Sequence, residues 1–146
     1  MNNEISKHEY ASSQSTTTFA LRLKPDQDLR NELEIFTKEH NIQAGYIITS
    51  VGSLKSASLR LADQSNPKNY SEKFEIVSLV GTLSTDGVHL HISIADKDGK
   101  TIGGHLVEGC KIYTTAEIII GNAEGMLFLR EQDEQTGFKE LKIKQK

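Results

Sequence analysis

The 146-residue chain has 36% hydrophobic and 25% charged residues and no tryptophan, proportions that fit one globular domain around one core. Acidic residues outnumber basic ones by 20 to 17, for a formal net charge of −3; stand-alone DNA binding draws on clustered Lys and Arg, so this balance weighs against it. Cys110 is the single cysteine, which excludes an intrachain disulfide, and no stretch resembles a signal peptide or the ~18 apolar residues of a membrane span, so a cytoplasmic location without a membrane partner is expected.

Residues 1–18 are polar and rich in Ser, Thr and Asn, and read as a frayed tail ahead of a single domain at 19–146. Phe19, Leu21 and Leu23 alternate with Ala20 and Arg22 in the period of a half-buried strand. Lys24-Pro25-Asp26 breaks the strand. Asp28 then caps a helix with Leu29, Leu33 and Phe36 on one face, and Asn41 supplies its left-handed stop. From there the chain reads as successive strands: 42–50, then after Gly52 another at 57–62, an exposed loop at 63–70, and strands at 74–84, 88–95, 101–107, 111–120, 126–131 and 138–143. One helix among many strands joined by short turns predicts an α+β fold with a large, mostly antiparallel sheet.

In 88–95, Val88, Leu90, Ile92 and Ile94 share one face, and His89, His91, Ser93 and Ala95 share the other. Residues two apart lie roughly 7 Å apart along a strand, near enough for two imidazoles to lean onto one ion. The following 96–100 turn decides whether a third joins them. Gly99 suits the left-handed position of a three-residue hairpin loop, and the frame in which Asp96 faces Lys100 sets His91 opposite His105. A two-residue Asp98-Gly99 loop, or a bulge at Gly103-Gly104, shifts that frame and sends His105 to the other face. The three-residue frame predicts a divalent metal site at His89, His91 and His105. Three imidazoles leave a coordination position open, as at catalytic zinc, and zinc is the default ion.

Around that site, Gly103 and Gly104 allow a backbone, a ligand or a neighbouring subunit to approach closely. Glu117, a charge in the apolar run 112–120, is a candidate for orienting a histidine, and also fits a solvated or subunit-contact position. Arg22 and Arg60 are candidate anchors for an anionic substrate, weighed against ordinary surface arginines, the reading also given to His8 and His40. Cys110 has no base at diagnostic spacing and reads as a buried structural thiol. No P-loop, G-x-G-x-x-G or G-x-S-x-G motif is present, and no catalytic acid or base is identified.

Gly87-Val88-His89-Leu90-His91-Ile92-Ser93, Asp98-Gly99-Lys100 and Gly103-Gly104-His105-Leu106 together resemble the signature of the PPC (plant and prokaryote conserved) domain. The likeness extends over Phe19-Ala20-Leu21-Arg22, Val51-Gly52-Ser53-Leu54, Ala57-Ser58-Leu59-Arg60, Phe74-Glu75-Ile76 and Tyr113-Thr114-Thr115-Ala116-Glu117. The resemblance implies a homotrimer with an α+β fold akin to acetolactate decarboxylase, a metalloenzyme with a three-histidine zinc site. In plants the domain accompanies AT-hook segments that grip DNA and mediates assembly; no Arg-Gly-Arg-Pro-like segment occurs here. The reading is therefore a metal-dependent or small-molecule-binding protein of unidentified substrate, with a DNA-binding or assembly module as the alternative.

Overall fold

The computed structural model describes residues 8–146, so residues 1–7 of the expected tail lie outside it. The first strand, Thr16–Leu23 (β1), begins before the alternation at Phe19, because Thr16, Thr17 and Thr18 pair with Ala123, Asn122 and Gly121. The chain just ahead of it is also tied down: Ser13 Oγ donates to Glu124 O (2.6 Å), and Ser12 N to Gln145 Oε1 (3.2 Å). Glu9 Oε1 accepts from Ile143 N (2.6 Å) as well, so the tail expected to fray up to residue 18 is engaged from Glu9 onward.

Helix α1, Leu29–Glu39, starts where its cap predicts. Asp28 Oδ1 accepts from Asn31 N (3.0 Å), satisfying one of the helix's orphan donors. Its other oxygen accepts from Gly109 N (2.8 Å), which fastens the helix start to the distant 107–110 connection. Leu29, Leu33 and Thr37 face the core, and Asn41 ends the helix at φ 48°.

Strand β2, Gly45–Arg60, is one 16-residue strand where the sequence had indicated two. Gly52 is not a turn. Its missing side chain lets the backbone close on the later strand that carries Thr115, where a Cβ would stand 2.2 Å from Thr115 O. The expected 63–70 loop closes with a short strand, Lys68–Tyr70 (β3), paired to Ala57–Leu59. Then follow Phe74–Ser84 (β4), Gly87–Ala95 (β5), Thr101–Leu106 (β6), Lys111–Ala123 (β7), Met126–Gln132 (β8) and Lys139–Gln145 (β9).

The main sheet runs β1-β7-β2-β4-β5-β6, entirely antiparallel, and β6 pairs back onto the C-terminal end of β2 through Leu59↔Leu106 and Arg60↔His105. The path β2–β4–β5–β6–β2 therefore closes on itself. Its interior is filled by Leu54, Leu59, Leu83, Leu90, Ile94 and Leu106, each no more than 1% exposed, and the helix covers the core from β4 to β7. Strands β8 and β9 form a separate hairpin outside this closed sheet. Among the described residues no helix is long and apolar enough to cross a membrane.

Candidate metal centre and adjoining cavity

Alternation fixes the faces of β5. Leu90, Ile92 and Ile94 are buried, so His89, His91 and Ser93 point outward. The turn into β6 has the three-residue form: Gly99 lies at φ 78°, Gly99 N donates to Asp96 O (2.9 Å), and Asp96 N to Lys100 O (2.9 Å). Asp96 Oδ1 also accepts from Asp98 N and Lys100 N (2.9 Å each), which locks the loop. His91 consequently sits directly opposite His105, in a ladder with no register shift between β5 and β6.

Gly103 and Gly104 serve close backbone approach and not a bulge. A Cβ at Gly103 would stand 2.9 Å from Ile92 O, and one at Gly104 2.9 Å from Arg60 O. Their bareness lets β6 wedge between β5 and β2, which closes the sheet and sets Arg60 beside His105.

The three rings converge, with centroids 5.1 Å (His89–His91), 5.1 Å (His89–His105) and 5.4 Å (His91–His105) apart. One nitrogen of each lies within 4.8 Å of those of the other two. An ion at about 2.0–2.1 Å from each imidazole fits between them after small ring rotations. Two further observations agree with such an ion. His105 Nδ1 is buried with no hydrogen-bond partner, a costly state that a metal bond relieves. Metal ligation also needs a neutral imidazole, and burial, with the Arg60 charge next, pushes His105 down to about 4. Burial likewise lowers His89, helped by Arg130 and His91.

Beside the histidines lies a cavity of about 440 Å³, a volume suited to a small metabolite. One wall is the closed sheet, through Arg60, Val88, His89 and His105; the other is the β8–β9 hairpin, through Arg130, Phe138 and Glu140. The hairpin is held over the sheet by Phe128 N to Gln43 O (2.8 Å), Arg130 N to Asp86 Oδ2 (2.6 Å) and Arg130 Nη2 to Thr82 Oγ1 (2.8 Å). Thr82 is the cross-strand partner of His89, so that last bond brings the guanidinium over the cluster.

Of the residues singled out from sequence, His89, His91, His105 and Arg60 come together, and Gly103 and Gly104 make this possible. Glu117 and Arg22 pair with each other across β7 and β1, both exposed, and neither lines the cavity. Arg22 Nε instead donates to Thr115 Oγ1 (3.1 Å). Sequence reasoning missed Arg130, Glu140 and Asp86. The one local signal was Arg130, a charge ending the apolar run 126–129.

Comparison with known proteins agrees with this layout. Residues 10–124 match the model of the Plants and Prokaryotes Conserved (PCC) domain, a span containing all three histidines but not the hairpin. The chain is 50% identical over 129 residues to the bifunctional protein GlmU of Synechococcus sp. (strain JA-3-3Ab), covering 88% of this chain and 21% of that protein. It thus spans about a fifth of the curated relatives it matches. A hypothetical protein from Salmonella shares 35% identity and a TM-score of 0.90, over 95% of this chain and 99% of its own. A metal-containing protein from Archaeoglobus fulgidus shares 30% identity and a TM-score of 0.78, over 93% and 99%.

Proposed function

Since the chain belongs to the Plants and Prokaryotes Conserved domain family, we propose that it is a metal-dependent small-molecule-binding protein in which His89, His91 and His105 hold one divalent ion, zinc by default. The convergence of three imidazoles, with the buried Nδ1 of His105 left without a hydrogen-bond partner, carries this reading. The metal-containing archaeal relative supports it. When bound, the ion supplies Lewis acidity at a position the three histidines leave open. The chain's own part is to keep His89 and His105 neutral by burial, to hold His91 in register with His105, and to wall the open side with Arg60 and the hairpin.

Self-association belongs to the same proposal. Ile48, Val51, Val77 and Val80 are 51%, 59%, 56% and 55% exposed, and they come from the neighbouring strands β2 and β4, between the pairs Tyr46↔Thr82 and Gly52↔Ile76. Val80 in turn faces His91 across β4 and β5. Packing of copies on this apolar patch, as the homotrimer, covers the side of the histidines away from the hairpin. Light scattering on Val51→Lys and Val80→Lys proteins is expected to show a loss of trimers; trimers that survive both changes refute this interface.

Elemental analysis of tag-free protein after zinc reconstitution tests the metal site. About one ion per chain is expected, and almost none in the triple variant His89→Ala, His91→Ala, His105→Ala. A wild-type protein without stoichiometric metal refutes the site, and metal retained by the triple variant refutes the ligand assignment. A DNA-binding role requires tight, salt-dependent affinity, so weak binding without sequence preference at physiological salt leaves the metal reading standing alone.

A further inference from the structure

The cavity lining carries more positive than negative charge, with Arg60, Arg130 and Lys139 against Asp86 and Glu140. Arg60 and Arg130 are both half-buried in its walls, and among the described residues neither has a carboxylate within 4.0 Å. A guanidinium partly withdrawn from water without an ion-pair partner is unfavourable unless an anion completes it. The two acidic side chains in the lining, Asp86 and Glu140, offset part of the Arg130 charge from a distance, but neither pairs with a guanidinium. Asp86 Oδ2 accepts the backbone N–H of Arg130, and Glu140 Oε1 accepts from Thr136 Oγ1 (3.1 Å). Arg130 spends one donor on Thr82, which leaves most of its fork free.

Both arginines are aimed at one place by the sheet. Arg60 is the cross-strand partner of His105, and Arg130 is tethered to the cross-strand partner of His89. Lys139 adds a third cation at the cavity rim, and Phe138, 71% exposed, offers an apolar flank. Arg130, Phe138 and Lys139 all come from the hairpin, beyond the residues that match the family model. The histidine face and Arg60 lie within that match, so the hairpin supplies the other half of the ligand contacts.

We propose that this cavity is an anion subsite, in which Arg130 and Arg60 grip the carboxylate or phosphate of a small metabolite whose remainder reaches the histidine cluster. The placement of that remainder rests on the metal reading above; the anion grip itself does not. Three neutral imidazoles leave the charge of a divalent ion uncompensated, so a bound ion strengthens the preference for an anionic ligand.

Calorimetric titration of the chelator-treated full chain with malonate, and separately with inorganic phosphate, tests the subsite and distinguishes the two chemistries. Saturable binding of one of them, one per chain, is expected. Arg130→Met and Arg60→Met should each weaken it about tenfold or more, and Arg130→Lys should restore part of the loss. Zinc affinity, read by competition with a chromophoric chelator, should not fall in the arginine variants. Failure of both anions to bind, or binding that survives both Met changes, overturns the subsite whatever zinc does. Arginine-dependent anion binding in a chain that takes up no zinc supports the subsite and removes the metal reading alone.

Discussion

Acid should destabilise the metal-free protein through His105, beginning above the range in which carboxylates ordinarily take up protons. An unfolded-chain imidazole titrates near 6.5, whereas native His105 is lowered to about 4 by burial and the Arg60 charge. Between these values the unfolded chain takes up a proton that the native chain refuses, so stability is complete above pH 6.5 and lost as pH falls toward 4. Below that, this group has no further effect. The full linkage is ~3 kcal/mol, and because the ring is only partly shielded, solvent screening reduces it to roughly 1–2 kcal/mol. His89 is lowered too and adds in the same direction. Urea denaturation of chelator-treated protein at pH 7.5 and 4.5, for wild type and His105→Asn, reads the difference directly. Wild type is expected to lose roughly 1–2 kcal/mol more than the variant across that interval. Equal losses, or a His105 ring resonance titrating near 6.5, would refute the reasoning.

Three further outcomes follow from the packing. Gly104→Ala forces a Cβ against Arg60 O and should cost about 1–3 kcal/mol in urea denaturation, with weaker zinc binding because His105 is its neighbour. Asp28→Ala removes both the helix cap and the acceptor for Gly109 N, a loss of about 2–4 kcal/mol, part of which Asp28→Asn should recover. Cys110 is fully buried, its Sγ is hydrogen-bonded to Ser58 (3.4 Å), and burial raises its thiol to about 11. It should therefore ignore a thiol reagent at pH 8 in the native state and react once per chain in denaturant.

The histidine face was legible because its determinants are local. Alternation along 88–95 sets the side on which His89 and His91 stand, and the Gly99 turn chemistry sets the frame that adds His105. The helix start was legible for the same reason, since Asp28 and its partner Asn31 are three residues apart. Where sequence reasoning went astray, the determinant was distant. Gly52 resembles a turn until β7 is known to lie against it; at Gly103-Gly104 the close approach expected from sequence is present, and only the strands that make it, β5 and β2, were out of its reach. The cavity wall was least legible of all. Arg130 reaches Thr82 and Asp86 across more than forty residues, and nothing near it in sequence announces the meeting.

The location of the site explains why that distant wall matters. Every inward position along the closed sheet near the histidines is filled: Leu90, Ile92 and Ile94 from β5, Leu106 from β6, Leu59 from β2. A core packed at ordinary density leaves no room for a ligand inside. Chemistry on this fold is therefore confined to the outer face, where an imidazole cluster alone would lie open to water. Covering it requires segments that are not strands of the closed sheet, and the β8–β9 hairpin is one. On the proposed reading, the closed sheet sets where a metal would bind, and the hairpin laid over it, with Arg60, sets which ligand would reach that metal.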